Sequence, residues 1–345
     1  VIQRLKDWLP GLLLSGIIGT IAYVGWHFTR SSLQVSSLLW AFVISFALGN
    51  LVKLSPRFQT GIRFTSSKLL RVAVGMLGLA VSAAAWWKLG GAGIAVVMAN
   101  LIITLLVGYI ICRILLGMTL QQSMLIMTGT AICGASAIAA TAPAVDANEQ
   151  DTALALAVVT LFGLAAMVLY PLLYEFTPVG HWLANDPLAF GLWSGTGIHE
   201  TAQVVASGSQ IEGALEMATL AKSVRIFMIG PVVLLCAVLC RRGQSSGETS
   251  ATRAIRWPWF ALAFVAFTFA HMGLEHWLGD SWVSFAKGTI KPIVKFLLTS
   301  AFAAIGLRVR VADLRAIGAK AFAAGLLVAT TAGVTAFLLT KLLWV

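Results

Sequence analysis

The sequence predicts an all-α integral membrane protein of about eleven transmembrane helices, with inverted repeats and broken crossing helices. Three observations predict it. Of the 345 residues, 59% are hydrophobic and 11% charged, and the mean hydropathy is +0.90, far from the polarity of soluble domains. Most apolar stretches run 17 to 25 residues, helix length for a bilayer core, without the alternation of a membrane β-barrel. Finally, one stretch of the chain resembles a later one that runs in the opposite predicted direction, as in many secondary transporters.

The apolar stretches place spans near 10–28, 36–52, 68–87, 91–112, 122–143, 152–174, 187–207, 217–239, 257–277, 291–307 and 321–343. Arg4 and Lys6 precede the first, as in a signal peptide, but no small-residue cleavage site follows, so it is read as a true span. With the N-terminus inside, Arg4, Lys6, Lys53, Arg57, Arg63, Lys68, Arg71, Arg113, Arg241, Arg242, Arg253, Arg256, Arg308, Arg310, Arg315 and Lys320 fall on the cytoplasmic side. Arg30, Lys88, Lys287, Lys291, Lys295 and Lys341 fall opposite, and sixteen against six supports that orientation. The C-terminus then lies on the periplasmic or extracellular side, as does the acidic turn Asp146 to Asp151. The polar segment Arg241 to Arg256 reads as a flexible cytoplasmic loop.

The net charge of +11 is scattered between apolar segments, which argues against a nucleic-acid partner. Cys112, Cys133, Cys236 and Cys240 lie in or beside apolar segments without metal-ligand spacing, and read as packing residues. The twelve tryptophans, many near span ends, read as an aromatic belt.

A shift of 228 residues aligns Leu69-Leu70 with Leu297-Leu298, Ala73 with Ala301, Gly78-Leu79 with Gly306-Leu307, Val81 with Val309, Ala84 with Ala312 and Gly90 with Gly318. These eight identities in 22 positions point to a single polytopic domain over 1–345, with repeat-related halves near 36–174 and 187–345. A weaker likeness, shifted by 66 residues, sets Gly129-Thr130 and Ile132 against Gly195-Thr196 and Ile198, and Ala140 against Ala206. Its copies run in the same predicted direction, so either the count of spans is off locally or the likeness is accidental.

Two spans are too polar and too rich in glycine to be ordinary. In 127–143, Gly129, Gly134 and Pro143 interrupt the helix, while Thr130, Ser136 and Thr141 offer hydroxyls. Broken backbone at membrane depth survives only inside protein or beside a wet cavity. A half-helix starting near Gly134 and Ala135 would aim free amides at an anion, or its small residues could serve close packing. In 190–208, Ser194, Gly195, Thr196 and Gly197 would loosen the backbone, and Thr201 and Gln203 add donors. His199 and Glu200 are costly in a membrane and read as proton-coupling residues, or as the cap of a short re-entrant helix.

Lys222 and Arg225 share a helix face near the outer end of a span. They could neutralise an anionic substrate, pair with Glu200, or reach the headgroups. Asn100 reads as a polar contact or an interhelical hydrogen bond, and His271 and His276 as interfacial. No phosphate loop, H-E-x-x-H helix or nucleophile elbow occurs, so the expectation is a gradient-driven carrier without a cofactor, and no enzyme.

The runs Gly129 to Ala140, Ala157 to Pro171 and Gly191 to Val204 together resemble the YeiH-like family of sulfate exporters, and the likeness covers nearly the whole chain. The resemblance implies the fold of the cation/proton antiporter and bile-acid transporter superfamily, with inverted repeats, unwound crossing helices and elevator motion. Many such antiporters carry an aspartate in the broken helix, whereas 129–142 here has no acid, which favours an anion over a cation. The expectation is a bacterial inner-membrane exporter of sulfate, sulfite or a sulfonate, linked to protons or sodium, with a small anionic solute and the bilayer as partners. A homodimer is one assembly open to it. The rivals are a monovalent cation/proton antiporter using Glu200, and a channel or sensor scaffold.

Overall fold

The computed structural model describes residues 2–29, 36–80, 83–241, 259–312 and 317–345. Arg30, Val81, Arg242, Arg253, Arg256, Trp257 and Arg315, with the polar segment 242–256, lie outside the described residues. In chain order the helices are α1 (Ile2–Thr29), α2 (Ser37–Leu51), α3 (Pro56–Phe64), α4 (Leu70–Leu77), α5 (Ala83–Tyr109), α6 (Leu120–Ala131), α7 (Ala135–Thr141) and α8 (Glu149–Phe176). Then follow α9 (Val179–Trp182), α10 (Pro187–Gly197), α11 (Thr201–Gly208), α12 (Leu215–Phe227), α13 (Ile229–Arg241), α14 (Trp259–Leu278), α15 (Asp280–Phe285), α16 (Lys291–Arg308) and α17 (Ala319–Leu343).

No strand occurs among the described residues. Six helical stretches among them are long and apolar enough to cross a membrane: Asp7–Phe28, Ala85–Leu115, Glu149–Phe176, Leu215–Cys240, Asp280–Arg308 and Ala319–Leu343. The chain divides by internal contacts into two compact units, Val1–Ala84 with Trp259–Asp313, and Ala85–Pro258 with Leu314–Val345.

In the first unit, α4 lies against α14 and α16 against α2. The aligned glycines Gly78 and Gly306 sit at these two seams. A Cβ on Gly78 would stand 2.1 Å from the carbonyl oxygen of Phe264, and one on Gly306 2.6 Å from that of Phe42. The chain leaves the unit after Ala84 and again after Asp313, one residue from the Ala84/Ala312 pair of the 228-residue shift.

The second unit is built along α8. Asn148 caps this helix by accepting from the Asp151 N–H (2.7 Å), and Glu149 and Asp151 lie at its positive end. Pro171 inside it cannot donate to the Met167 carbonyl, and Gln210 Nε2 takes that role from α11's far end at 3.4 Å. The core gathers Tyr170, Phe190, Trp193, Ile198 and Val204. Trp193 stacks on Tyr170 and donates to the Gly333 carbonyl (3.0 Å).

Neither glycine-rich span is a single crossing helix. Residues nine apart on a straight helix are separated by about 13 Å, yet a Cβ on Gly129 would lie 2.8 Å from Ile138 Cδ1. So α7 doubles back on α6. Likewise a Cβ on Gly195 would lie 2.9 Å from Ala218 Cα, and one on Gly208 3.0 Å from Ala218 Cβ. Thirteen residues of straight helix would part the two glycines by about 20 Å, so α11 doubles back on α10. The 66-residue likeness is therefore two copies of one hairpin, with turns at 132–134 and 198–200, and the local count of spans was off.

Contacts along α8 fix how the hairpins are arranged. Gln122 of α6 meets Asp151 (2.7 Å), and Gly129 meets Val159. Beyond that point Glu200 meets Thr160, Gly163 meets Gln203 and Tyr174 packs on Phe190. The first hairpin thus has its base at the start of α8 and the second at its end. They meet tip to tip beside Thr160.

Candidate functional site

At the first tip, Gly134 takes φ +63°, a conformation costly for residues with a Cβ, and its N–H donates to the Gly129 carbonyl (2.8 Å). Two carbonyls at the C-terminal end of α6 remain, and Arg225 of α12 takes both. Its Nη2 donates to Thr130 (2.8 Å) and its Nε to Ala131 (2.6 Å), with a further contact from Nη2 to Ala131. At the second tip, Lys222 Nζ donates to the Ile198 carbonyl (2.7 Å). Each cation thus serves the negative end of a half-helix, where its charge is favourable.

Glu200 caps α11 in a capping box, its own N–H donating to Gln203 Oε1 (3.0 Å). Thr160 of α8 donates its hydroxyl to Glu200 Oε1 (3.2 Å), and the Thr160 carbonyl accepts from Gln203 Nε2 (3.3 Å). The two turns touch here, since a Cβ on Gly134 would stand 2.3 Å from Glu200 Cγ.

Lys222 and Arg225 both have 0% of their surface exposed, and no other Lys, Arg, Asp or Glu among the described residues is buried. That burial removes the headgroup alternative. Arg225 Nη1, both ring nitrogens of His199 and the Thr196 hydroxyl are buried without a completed hydrogen bond. The Gly197 backbone lies near the His199 ring without completing one. Buried donors are almost always satisfied, so such a cluster marks either strain or a place for a ligand.

The structure brings Thr130, Gly134, Gln203, Lys222, Arg225, His199 and Glu200 to the meeting of the tips. Ser136 lies beside the Cys133 thiol, which is buried in the first turn. Ala135 and Thr201 begin α7 and α11, Ala135 exposed and Thr201 half-buried. The break expected within 194–203 falls at 198–200, whereas Ser194 to Gly197, expected to loosen the backbone, close a continuous α10. Ser194 spends its hydroxyl on the Gly191 carbonyl (3.2 Å), and Gly195 packs on Ala218. Asn100 makes interhelical hydrogen bonds to Ala332 (2.9 Å) and Thr335 (2.7 Å). His271 is buried, accepting from Trp282 Nε1 (2.9 Å), and His276 is exposed.

Sequence reasoning missed Thr160 and gave Cys133 to packing alone. A lone threonine in the apolar run 157–170 was the one signal for the former. For the latter, Cys133 and His199 occupy equivalent positions of the 66-residue shift.

The sequence profile of the family described as conserved hypothetical protein 698 matches residues 10–325. A UPF0324 membrane protein of Bordetella pertussis is 33% identical over 327 residues, covering 93% of this chain and 91% of that protein. The UPF0324 inner membrane protein YeiH of Escherichia coli is 32% identical over 324 residues, covering 92% and 89%. A UPF0324 membrane protein of Yersinia pestis is 31% identical over 319 residues, covering 91% and 86%. No solved structure matches the chain.

Proposed function

The chain belongs to the conserved hypothetical protein 698 family and is a multi-pass bacterial inner-membrane protein, and from that premise we propose that it is a secondary active transporter of a small anion. One observation carries the reading. Two wholly buried cations stand where two opposed hairpin tips meet, with donor capacity left unspent. Burying a cation costs several kcal/mol unless an anion or carbonyls compensate. The carbonyls of Thr130, Ala131 and Ile198 compensate in part, and a bound anion would complete the set.

The substrate in this reading is sulfate, sulfite or a sulfonate, moved outward by alternating access of the elevator kind, with proton or sodium linkage through His199 and Glu200. The two hairpins re-enter from opposite faces of the membrane, each returning to its own side, and α8 crosses between them. No Lys or Arg lies between Arg113 and Lys222. The distribution of positive charge therefore still sets the N-terminus in the cytoplasm and the C-terminus outside. The acidic turn Asp146 to Asp151 changes sides, to the cytoplasm, and the segment 175–186 after α8 changes the other way. The cation-antiporter alternative is weakened because the Glu200 carboxylate is engaged by α11 and Thr160.

Proteoliposomes loaded with labelled sulfate or sulfite test the proposal. Efflux should be saturable, respond to an imposed proton or sodium gradient, and fall to background in Lys222→Ala. If neither anion leaves faster than from protein-free vesicles under any of these gradients, the substrate assignment fails.

A further inference from the structure

The charges at the meeting of the tips do not cancel. Counted as ionised, Lys222 and Arg225, both wholly buried, contribute two positive charges, and Glu200 one negative charge within electrostatic reach of Lys222. The Glu200 carboxylate accepts from two donors, the Thr160 hydroxyl and the backbone of the capping box, contacts that favour its ionised form. The other titratable groups facing the cations carry no charge near pH 7.5. They are the Cys133 thiol beside Lys222 and Arg225, the Tyr170 phenol beside Arg225, and the His199 imidazole beside both. One positive charge is left in excess among the described residues, in a place where an unbalanced ion costs several kcal/mol.

We propose that this site takes one net negative charge: a monoanion binds alone, whereas a dianion binds only together with one proton, which His199 carries. The inference rests on the anion-transport reading and adds its charge rule. His199 suits the proton better than Glu200 does. A proton on Glu200 would set a new donor against groups that already donate to it. The His199 ring nitrogens have no completed hydrogen bond, so a protonated ring gains a second N–H donor for the anion without breaking any bond. The proton enters from solution with the dianion and leaves with it, so each dianion crosses with one compensating positive charge.

Proton uptake by the purified full chain in weakly buffered solution at pH 7.5 tests the rule, with sulfate as dianion and methanesulfonate as monoanion. Amine buffers serve, because sulfonate buffers would compete. Binding is followed separately through the rise in thermal stability that a ligand confers. The expected uptake is about one proton per sulfate and about none per methanesulfonate. His199→Gln should weaken sulfate about tenfold or more relative to methanesulfonate. Glu200→Gln, which adds one unit of positive charge to the site, should let sulfate bind without a proton. Equal proton uptake for the two anions, or sulfate uptake unchanged in both variants, overturns the charge rule while leaving an anion site standing. Failure of both anions to stabilise the wild-type chain overturns the anion reading as well.

Discussion

The two hairpins share a backbone plan but not a charge plan. Residues 120–141 and 187–208 match helix for helix, close to the 66-residue shift, yet the first turn reads Ile132-Cys133-Gly134 and the second Ile198-His199-Glu200. Both long cations belong to the helix that follows the second hairpin; at the equivalent positions α8 carries Leu156 and Val159. The first tip is held only from outside, by Arg225 on its carbonyls, whereas the second adds a capping box of its own to the Lys222 bond on Ile198. The difference teaches that a duplicated scaffold can supply two opposed helix ends while a few substitutions in one copy supply the chemistry for both.

The sidedness of the hairpins offers the all-or-none test. In a cysteine-depleted background, single cysteines at Gly117 and Asn148 should label from the same side of sealed vesicles, and one at Asn185 from the other. If Gly117 and Asn148 label from opposite faces, residues 120–141 cross the membrane and the matched-hairpin comparison breaks.

Next in size is Arg225→Leu. It strips the Thr130 and Ala131 carbonyls of their donors, which should cost about 3 kcal/mol of stability and abolish anion flux. Arg225→Lys should recover part of the stability, because one ammonium cannot reproduce the guanidinium fork. Denaturation in detergent, alongside flux, reads both.

The smallest effect separates strain from contact. Gly117 and Gly134 both have positive φ, +59° and +63°, but only Gly134 faces Glu200, while a Cβ on Gly117 would meet nothing within 4 Å. Alanine at either should cost about 1–2 kcal/mol in backbone strain. Only Gly134→Ala should also part the tips and lower anion affinity, measured by thermal shift. Equal affinities in the two variants would mean that the contact between the tips does not shape the site.

Much of this was legible in the residues. Glycine, serine and threonine inside apolar spans marked both hairpins, and ionisable residues at membrane depth marked His199, Glu200, Lys222 and Arg225. The burial of Lys222 and Arg225 was not legible, because local hydropathy registers only a charge near the end of a span. Whether a partner as distant along the chain as α6 can bury that charge is invisible to a window of residues. The break within 194–203 could not be narrowed to 198–200 for a related reason. Glycines permit a break, but which peptide opens depends on the capping box at Glu200 and on the cation that receives the Ile198 carbonyl.

By itself the sequence determined the class of the molecule, because helix length and apolar content are set residue by residue against the thickness of a bilayer. It also determined that two segments repeat, since duplication leaves its trace in spacing. Only the tertiary structure decided that each repeat turns back instead of crossing. It alone decided that the two turns meet at Thr160 and that two buried cations serve the helix ends there. Those outcomes depend on which distant carbonyls and donors satisfy one another, and no periodicity along a single chain encodes that pairing.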